Sequence, residues 1–227
     1  MYLREAELAE LKGKIQEMGK LVEDAVRNSV ISLVARDLEL AKKVTVGDAL
    51  INTFDIEIDE HCIKLIALRQ PVARDLRLIT TAMKITTDLE RIADNAANVA
   101  NRTIELADEK YIATHLNIPI LRDITCGMVR DAVDSFIKED KSLALNVMSR
   151  DTEVDDINEK VLRDLIDMML HDCDSAIPAT KLGYISRYLE RIGDHATNIA
   201  EMVIYMVEGQ MIRHRADKDA YIKDLNQ

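Results

Sequence analysis

The 227-residue chain has no tryptophan, 4% aromatic residues, 3 prolines and 7 glycines. Strands favour aromatic and β-branched side chains and need frequent turns, so a sheet protein is excluded and long helices are expected. Cysteine is scarce as well. Cys62, Cys126 and Cys173 are far apart, odd in number and form no CxxC. Neither a disulfide framework nor a thiolate zinc site follows, and the expectation is small reduced thiols in the core. Long apolar runs are absent: stretches such as VISLVA fall far short of the roughly 20 residues that span a bilayer. No charged-then-apolar signal segment opens MYLREAELAELKGK, which points to a cytoplasmic protein with no direct membrane insertion. Positive charge is in deficit, with 30 Lys and Arg against 41 Asp and Glu and a net charge of -11. That balance disfavours nucleic acid and anionic lipid surfaces and suits cations or basic protein partners.

What is present is a folded composition, 48% hydrophobic and 31% charged, arranged with helical period. Leu8, Leu11, Ile15, Met18, Val22, Ala25 and Ser29 step by three and four, with Val26, Val30 and Leu33 widening the stripe. A second helix is predicted from about Leu38 to Leu68, with Val44, Ile51, Phe54, Ile58, Cys62 and Leu65 inward. Pro71 fits the first turn of a third helix that runs to about Leu106. ADEKYIATHLNIP reads as a linker. Further helices are predicted over Leu121–Ile137, Leu143–Leu170 and Ala179–Val207, followed by a GlyGln stop and a charged tail, RHRADKDAYIKD.

The halves repeat. VEDAV (22–26) matches VRDAV (129–133), and Asp48-x-x-Ile51-Asn52 resembles Asp151-x-x-Val154-Asp155. LERIADNAANVA (89–100) returns as LERIGDHATNIA (189–200). The repeat is therefore three helices used twice. The expected fold is all-α: two tandem three-helix bundles, residues 1–108 and 109–227.

On a helical wheel Leu89, Ile92, Ala96 and Val99 share one apolar stripe. Glu90, Asp94 and Asn101 fall almost opposite, with Asn98 to one side, and Glu190, Asp194, Glu201 and Asn198 take the same places. The acids are thus expected to form an outward ridge. Like charges four apart repel by about 0.2–0.5 kcal/mol, so the same Glu-x-x-x-Asp in two copies suggests a cation over it. Hard oxygen donors suit iron, manganese, magnesium or calcium. Asp48 with Asn52 and Asp151 with Asp155 offer further oxygens at the same spacing, with Asp55 and Asp59 along the same edge. The plainer alternative is a solvated acidic face, or acids neutralised by Arg91, Arg102, Arg74 or Arg77. His195 follows Asp194 in one copy only, with Asn95 in the other, and is a weak ligand candidate. Ala93 and Gly193 at the i+3 positions argue against the Glu-x-x-His pattern of di-iron oxidases. No phosphate-binding glycine loop, HExxH or Ser–His–Asp pattern is present.

GDALIN, ALRQPVARDLRLI, DLERIADNAANVA and YLERIGDHATNIAEMV resemble the PhoU family of phosphate-specific transport accessory proteins over nearly the whole chain. The resemblance implies tandem three-helix bundles and metal ions, including multinuclear clusters, on acid motifs of the bundle surface. Carried over by position, the metal ligands are Asp48, Asn52, Glu90, Asp94, Asp151, Asp155, Glu190 and Asp194. Iron is the first expectation, with manganese, zinc or magnesium as substitutes. Asn52 stands where a carboxylate would bind more firmly, so the first site is expected to be the weaker. The resemblance also implies a homodimeric regulator without enzymatic activity. It would link the ATPase subunit of a phosphate ABC transporter to a phosphate-sensing histidine kinase and repress the phosphate-starvation response. Its place would be cytoplasmic, at the inner membrane through its partners. Two other readings stay open: a metal-free scaffold whose acidic ridges dock basic proteins, and a carboxylate–metal phosphoesterase.

Overall fold

The computed structural model describes residues 5–109 and 117–210. Seven helices follow in order: α1 (Glu5–Ala35), α2 (Leu38–Arg69), α3 (Ala73–Glu105), α4 (Ile118–Lys138), α5 (Lys141–Ser149), α6 (Asp151–His171) and α7 (Ala176–Glu208). A short 3-10 turn, Cys173–Ser175, precedes α7, and no strand occurs among the described residues. Helices α1, α2 and α3 form one three-helix unit, and α4, the α5–α6 pair and α7 form its repeat. The predicted all-α tandem architecture is thus the observed one. The residues 110–116 of the predicted linker, and the charged tail from residue 211 onward, lie outside the described residues.

The turns that open each hairpin are copies of one another. Arg36 and Glu139 take left-handed φ values of 53° and 54°, ending α1 and α4. The next residue, Asp37 or Asp140, then caps the following helix. Asp37 Oδ1 accepts from the Leu40 amide at 2.9 Å, and Asp140 Oδ1 from the Leu143 amide at 3.1 Å. Each cap occupies an amide that the first helical turn leaves without a partner.

Two helix predictions need correction. The fifth predicted helix is two, broken at Arg150, whose guanidinium reaches across to Asp131 on α4 at 2.5 Å. Pro71 does not sit in the first turn of α3. It lies in the connection ahead of Ala73, between the left-handed Gln70 and the extended Val72. Pro119 and Pro178 are the prolines inside first turns, those of α4 and α7. Gly209, φ 73°, ends α7 as the sequence suggests.

One hydrophobic core runs through both units, from Leu11, Ile15 and Met18 of α1 to Ile199, Val203 and Met206 of α7. Two seams join the units. Along the first, α1 meets α4, and Gly19 is what lets them close. A Cβ there would stand 2.9 Å from Val133 Cγ2. Along the second, α3 packs on α7 in the broadest helix–helix contact among the described residues. The two run antiparallel: Arg77 Nε donates to the Met206 carbonyl at 3.2 Å at one end, and Lys181 Nζ to the Glu105 carbonyl at 2.9 Å at the other. Midway, the Asp88 carboxylate meets His195 Nδ1 at 2.8 Å and accepts from Asn198 Nδ2 at 3.5 Å. His195 is therefore committed across the seam.

Candidate metal centres

The acid motifs lie where the outer hairpin helix crosses the central one, α2 over α3 and α6 over α7. The predicted ridge is only partly there. Asp94, Asn98 and Asn101 keep solvent access, but Glu90 is half-buried and Glu190 and Glu201 are buried. The wheel supplied α3 and α7 with one apolar face each. In the fold α3 is flanked by α1, α2 and α7, and α7 by α3, α4, α5 and α6, so side chains opposite the main stripe are covered by a further neighbour.

In the first unit α2 presents Asp48, Asn52, Asp55 and Asp59 along one line, all half-buried. Asn52 Nδ2 donates to Asp48 Oδ2 at 3.1 Å. One oxygen of each, Asp48 Oδ1, Asn52 Oδ1, Asp55 Oδ1 and Asp59 Oδ1, is buried and accepts no hydrogen bond. Glu90 and Asp94 of α3 share their field. Burial and then Asp94 raise the carboxyl pKa of Asp48. Burial, then Asp94, with smaller contributions from Asp55 and Asp48, raises Glu90. Asp59 is raised by burial and by Asp55. Of the four arginines expected as neutralisers, only Arg91 plays that part, with Nε 3.3 Å from Glu90 Oε2 and Nη1 3.6 Å from Asp94 Oδ2. Arg102 pairs with Glu105 at 2.6 Å and Arg74 with Glu139 at 2.5 Å.

In the second unit Asp155 of α6 stands with Glu190 and Asp194 of α7. Burial, then Asp194, pushes Glu190 up to about 6, and burial, then Asp155, raises Asp194. Glu190 Oε2 is buried and accepts nothing, while Oε1 accepts from Arg187 Nη1 at 2.5 Å. Asp151 Oδ1 accepts from Thr197 Oγ1 at 3.1 Å. The line is shorter here. Asn158 stands at the place of Asp55 and is spent on Ser186 at 2.6 Å. Leu162, at the place of Asp59, packs 3.5 Å from the position of a Cβ on Gly183.

Of the eight predicted ligands, Asp48, Asn52, Glu90 and Asp94 lie together in the first unit and Asp155, Glu190 and Asp194 in the second, while Asp151 is engaged by Thr197. Sequence reasoning missed Arg187, whose counterpart Thr87 carries no charge, and Thr197, whose counterpart is Ala97. Among the described residues no three His, Cys, Asp or Glu side chains converge as a ready-made metal cage. The donor set is nevertheless that of a hard cation: carboxylate and amide oxygens, several buried without a proton donor, with carboxyl groups that repel one another. Burial raises these acids because the charged form loses water, and the neighbouring acid adds to it. A cation between the helices would relieve both effects.

The thiols divide. Cys62 and Cys126 are buried, as expected, with burial pushing them up to about 12 and about 11. Cys173, in the turn before α7, is exposed and is no core thiol. No described helix is long and apolar enough to cross a membrane.

Comparison with known proteins matches this arrangement. The PhoU domain profile matches the chain twice, over residues 15–103 and 118–203. The phosphate-specific transport system accessory protein PhoU homolog of Pseudomonas putida is 41% identical over 210 residues, 92% of this chain and 82% of the relative. The Escherichia coli K12 accessory protein PhoU is 32% identical over 209 residues, 92% of this chain and 87% of the relative. The crystal structure of PhoU from Pseudomonas aeruginosa superposes with a TM-score of 0.86 at 40% identity, covering 90% of this chain and 99% of that one. The phosphate transport system regulatory protein PhoU from Streptococcus pneumoniae gives 0.85 at 26% identity, covering 91% and 97%. With both repeats matched and relatives above 30% identity along nearly all of its length, the chain belongs to the PhoU family.

Proposed function

We propose that this chain is a cytoplasmic accessory regulator of phosphate transport. It acts as a metal-binding adaptor between the ATPase subunit of a phosphate ABC transporter and a phosphate-sensing histidine kinase, and it holds the phosphate-starvation response off. Family membership supports the accessory role, since relatives along most of the chain are described in those terms. Relatives described as accessory or regulatory proteins support a regulator rather than an enzyme.

The observation that carries the metal reading is the set of buried oxygens without donors at motif positions of both units: Asp48 Oδ1 and Asn52 Oδ1 in one, Glu190 Oε2 in the other. Asp48, Asn52, Glu90 and Asp94 would hold one group of ions, and Asp151, Asp155, Glu190 and Asp194 the other. Iron fits this donor set, and manganese, zinc or magnesium are the alternatives. A bound cation supplies the positive charge that these acids lack, and it would tie α2 to α3 and α6 to α7. Binding to the folded state alone stabilises it by mass action. The homodimer and the two partners belong to the same reading.

The test is metal per chain, by elemental analysis of untagged protein beside a Glu190→Ala/Asp194→Ala variant. Near or above one ion per chain, falling in the variant, is the expected result. A phosphate-starvation reporter and co-purification with the kinase and the ATPase subunit test the adaptor role. The metal-free scaffold has its own support, because Glu90 and Glu190 already hold arginines, as acids that dock basic partners do. No metal after incubation with iron, manganese or zinc, together with salt-sensitive partner binding, would establish that reading instead.

A further inference from the structure

Arg187 stands in an unusual relation to the second acid group. Its Nη1 donates to Glu190 Oε1 at 2.5 Å, while Glu190 Oε2 is buried and empty. The two partners differ sharply in surroundings: the Arg187 side chain is 59% exposed and the Glu190 side chain 8%. One oxygen of a buried carboxylate is thus held by a cation that remains tethered but largely in water. A metal ion that took both oxygens would have to displace the guanidinium. One that took Oε2 alone would sit against a like charge.

The repeat makes the arrangement specific to one site. At the corresponding position of α3 stands Thr87, whose hydroxyl is spent on the Met83 carbonyl at 3.2 Å. The arginine that does touch the first acid group, Arg91, lies at 3.3 and 3.6 Å from carboxylates that are 23% and 42% exposed. Those are loose surface contacts of a kind that contribute little. Arg187 makes a short charge-assisted hydrogen bond to a buried group, which is the strong kind.

We propose that Arg187 is a built-in competitor for the metal at the second site, lowering its affinity for hard divalent cations below what its carboxylates alone would give. The displaced guanidinium has water within reach, so exchange needs no rearrangement of the bundle. Filling the second site would then release a positive charge from a buried carboxylate onto the surface beside α7. The reading rests on the metal-binding function proposed above and adds which side chain sets the second affinity.

The test is calorimetric titration with Mn2+ at about pH 8, with bound Mn2+ counted by electron paramagnetic resonance. Wild type, Arg187→Thr, Thr87→Arg, Arg91→Thr and Glu190→Ala/Asp194→Ala are compared. The double variant identifies the second-site isotherm. Arg187→Thr is expected to tighten that site about tenfold, equivalent to about 1.4 kcal/mol, and Thr87→Arg to weaken the first. Arg91→Thr is expected to change either site by less than about threefold. An unchanged second site in Arg187→Thr overturns the inference while leaving metal binding intact. A weakened one shows that Arg187 holds Glu190 in place for the metal, and overturns it too. If wild type and Arg187→Thr both bind no Mn2+, the metal reading itself fails and takes the inference with it.

Discussion

Glu23 and Arg130 occupy the same position of the two repeats and bind each other. Arg130 Nη2 lies 2.6 Å from Glu23 Oε1, and Nε lies 3.2 Å from Oε2. Residues at equal repeat positions meet here because α1 and α4 cross at the approximate two-fold between the units. Identical residues would face their own charge. The one difference between VEDAV and VRDAV turns that repulsion into a two-pronged pair. Arg130→Glu is expected to destabilise the protein by about 2 kcal/mol in denaturant unfolding. The double reversal Glu23→Arg/Arg130→Glu should recover at least half. Equal losses in both variants would show that the pair does not set how the units meet.

The same pair fixes a pH dependence. The Arg130 hydrogen bond, opposed by burial and joined by Arg27, holds Glu23 below its ordinary 4.5. A carboxyl depressed in the folded state stabilises above its unfolded value, and the gain is lost as pH falls through the folded one. Glu23→Gln should therefore be less stable than wild type at neutral pH. The gap should close as unfolding is followed down through and below 4.5.

Glu190 carries the opposite sign. Its carboxyl is raised from 4.5 to about 6 by burial and Asp194, so its contribution is full below the lower value and lost as pH rises through the upper. In metal-stripped protein at about pH 8, Glu190→Gln should be more stable than wild type by about 2 kcal/mol. The advantage should vanish by about pH 4.5. Saturating Mn2+ should reverse the order at about pH 8, since only wild type keeps the carboxylate. Thermal unfolding with and without metal reads both.

Gly19 allows the α1–α4 seam. With a Cβ 2.9 Å from Val133 Cγ2 and 3.0 Å from Cγ1, Gly19→Ala is expected to destabilise by about 1–3 kcal/mol. Gly19→Ala/Val133→Ala should be less destabilised than the two single losses added together, because the second change opens the space that the first needs. Strict additivity in denaturant unfolding would show that the two positions do not interact.

Thiol labelling should separate Cys173 from the others. It is exposed, while Cys62 and Cys126 are buried and pushed up to about 12 and about 11. One thiol per chain should react promptly with a thiolate-selective reagent at neutral pH, and the other two only on unfolding.

Most of the architecture was legible because period and repetition are strong signals. The α1 stripe, the helix order and the duplication all survive in the fold. The break at Arg150 left no mark. No proline or glycine stands there, and Gly47, at the matching place in α2, lies inside an unbroken helix. The hairpin turns were equally silent, since Arg36 and Glu139 take a conformation that glycine usually supplies. At the acid groups residue types and spacing were legible, but a single-helix wheel could not know that α7 packs against α3, α4, α5 and α6. It therefore placed Glu190 outside, whereas the fold leaves it 6% exposed. Arg187 escaped notice because its counterpart is a threonine, and comparing copies draws attention to what they share.

The antiparallel course of α3 and α7 has an electrical consequence. Each helix is 33 residues long, about 50 Å, and carries about half a unit charge at either end through its aligned peptide dipoles. Side by side and head to tail, the two fields oppose along their whole length. Lys181 and Arg77 sit on the carbonyl ends of α3 and α7 respectively, quenching what remains there. The backbone of the central seam therefore contributes little to the potential an approaching ion feels, and that potential is written by the carboxylates.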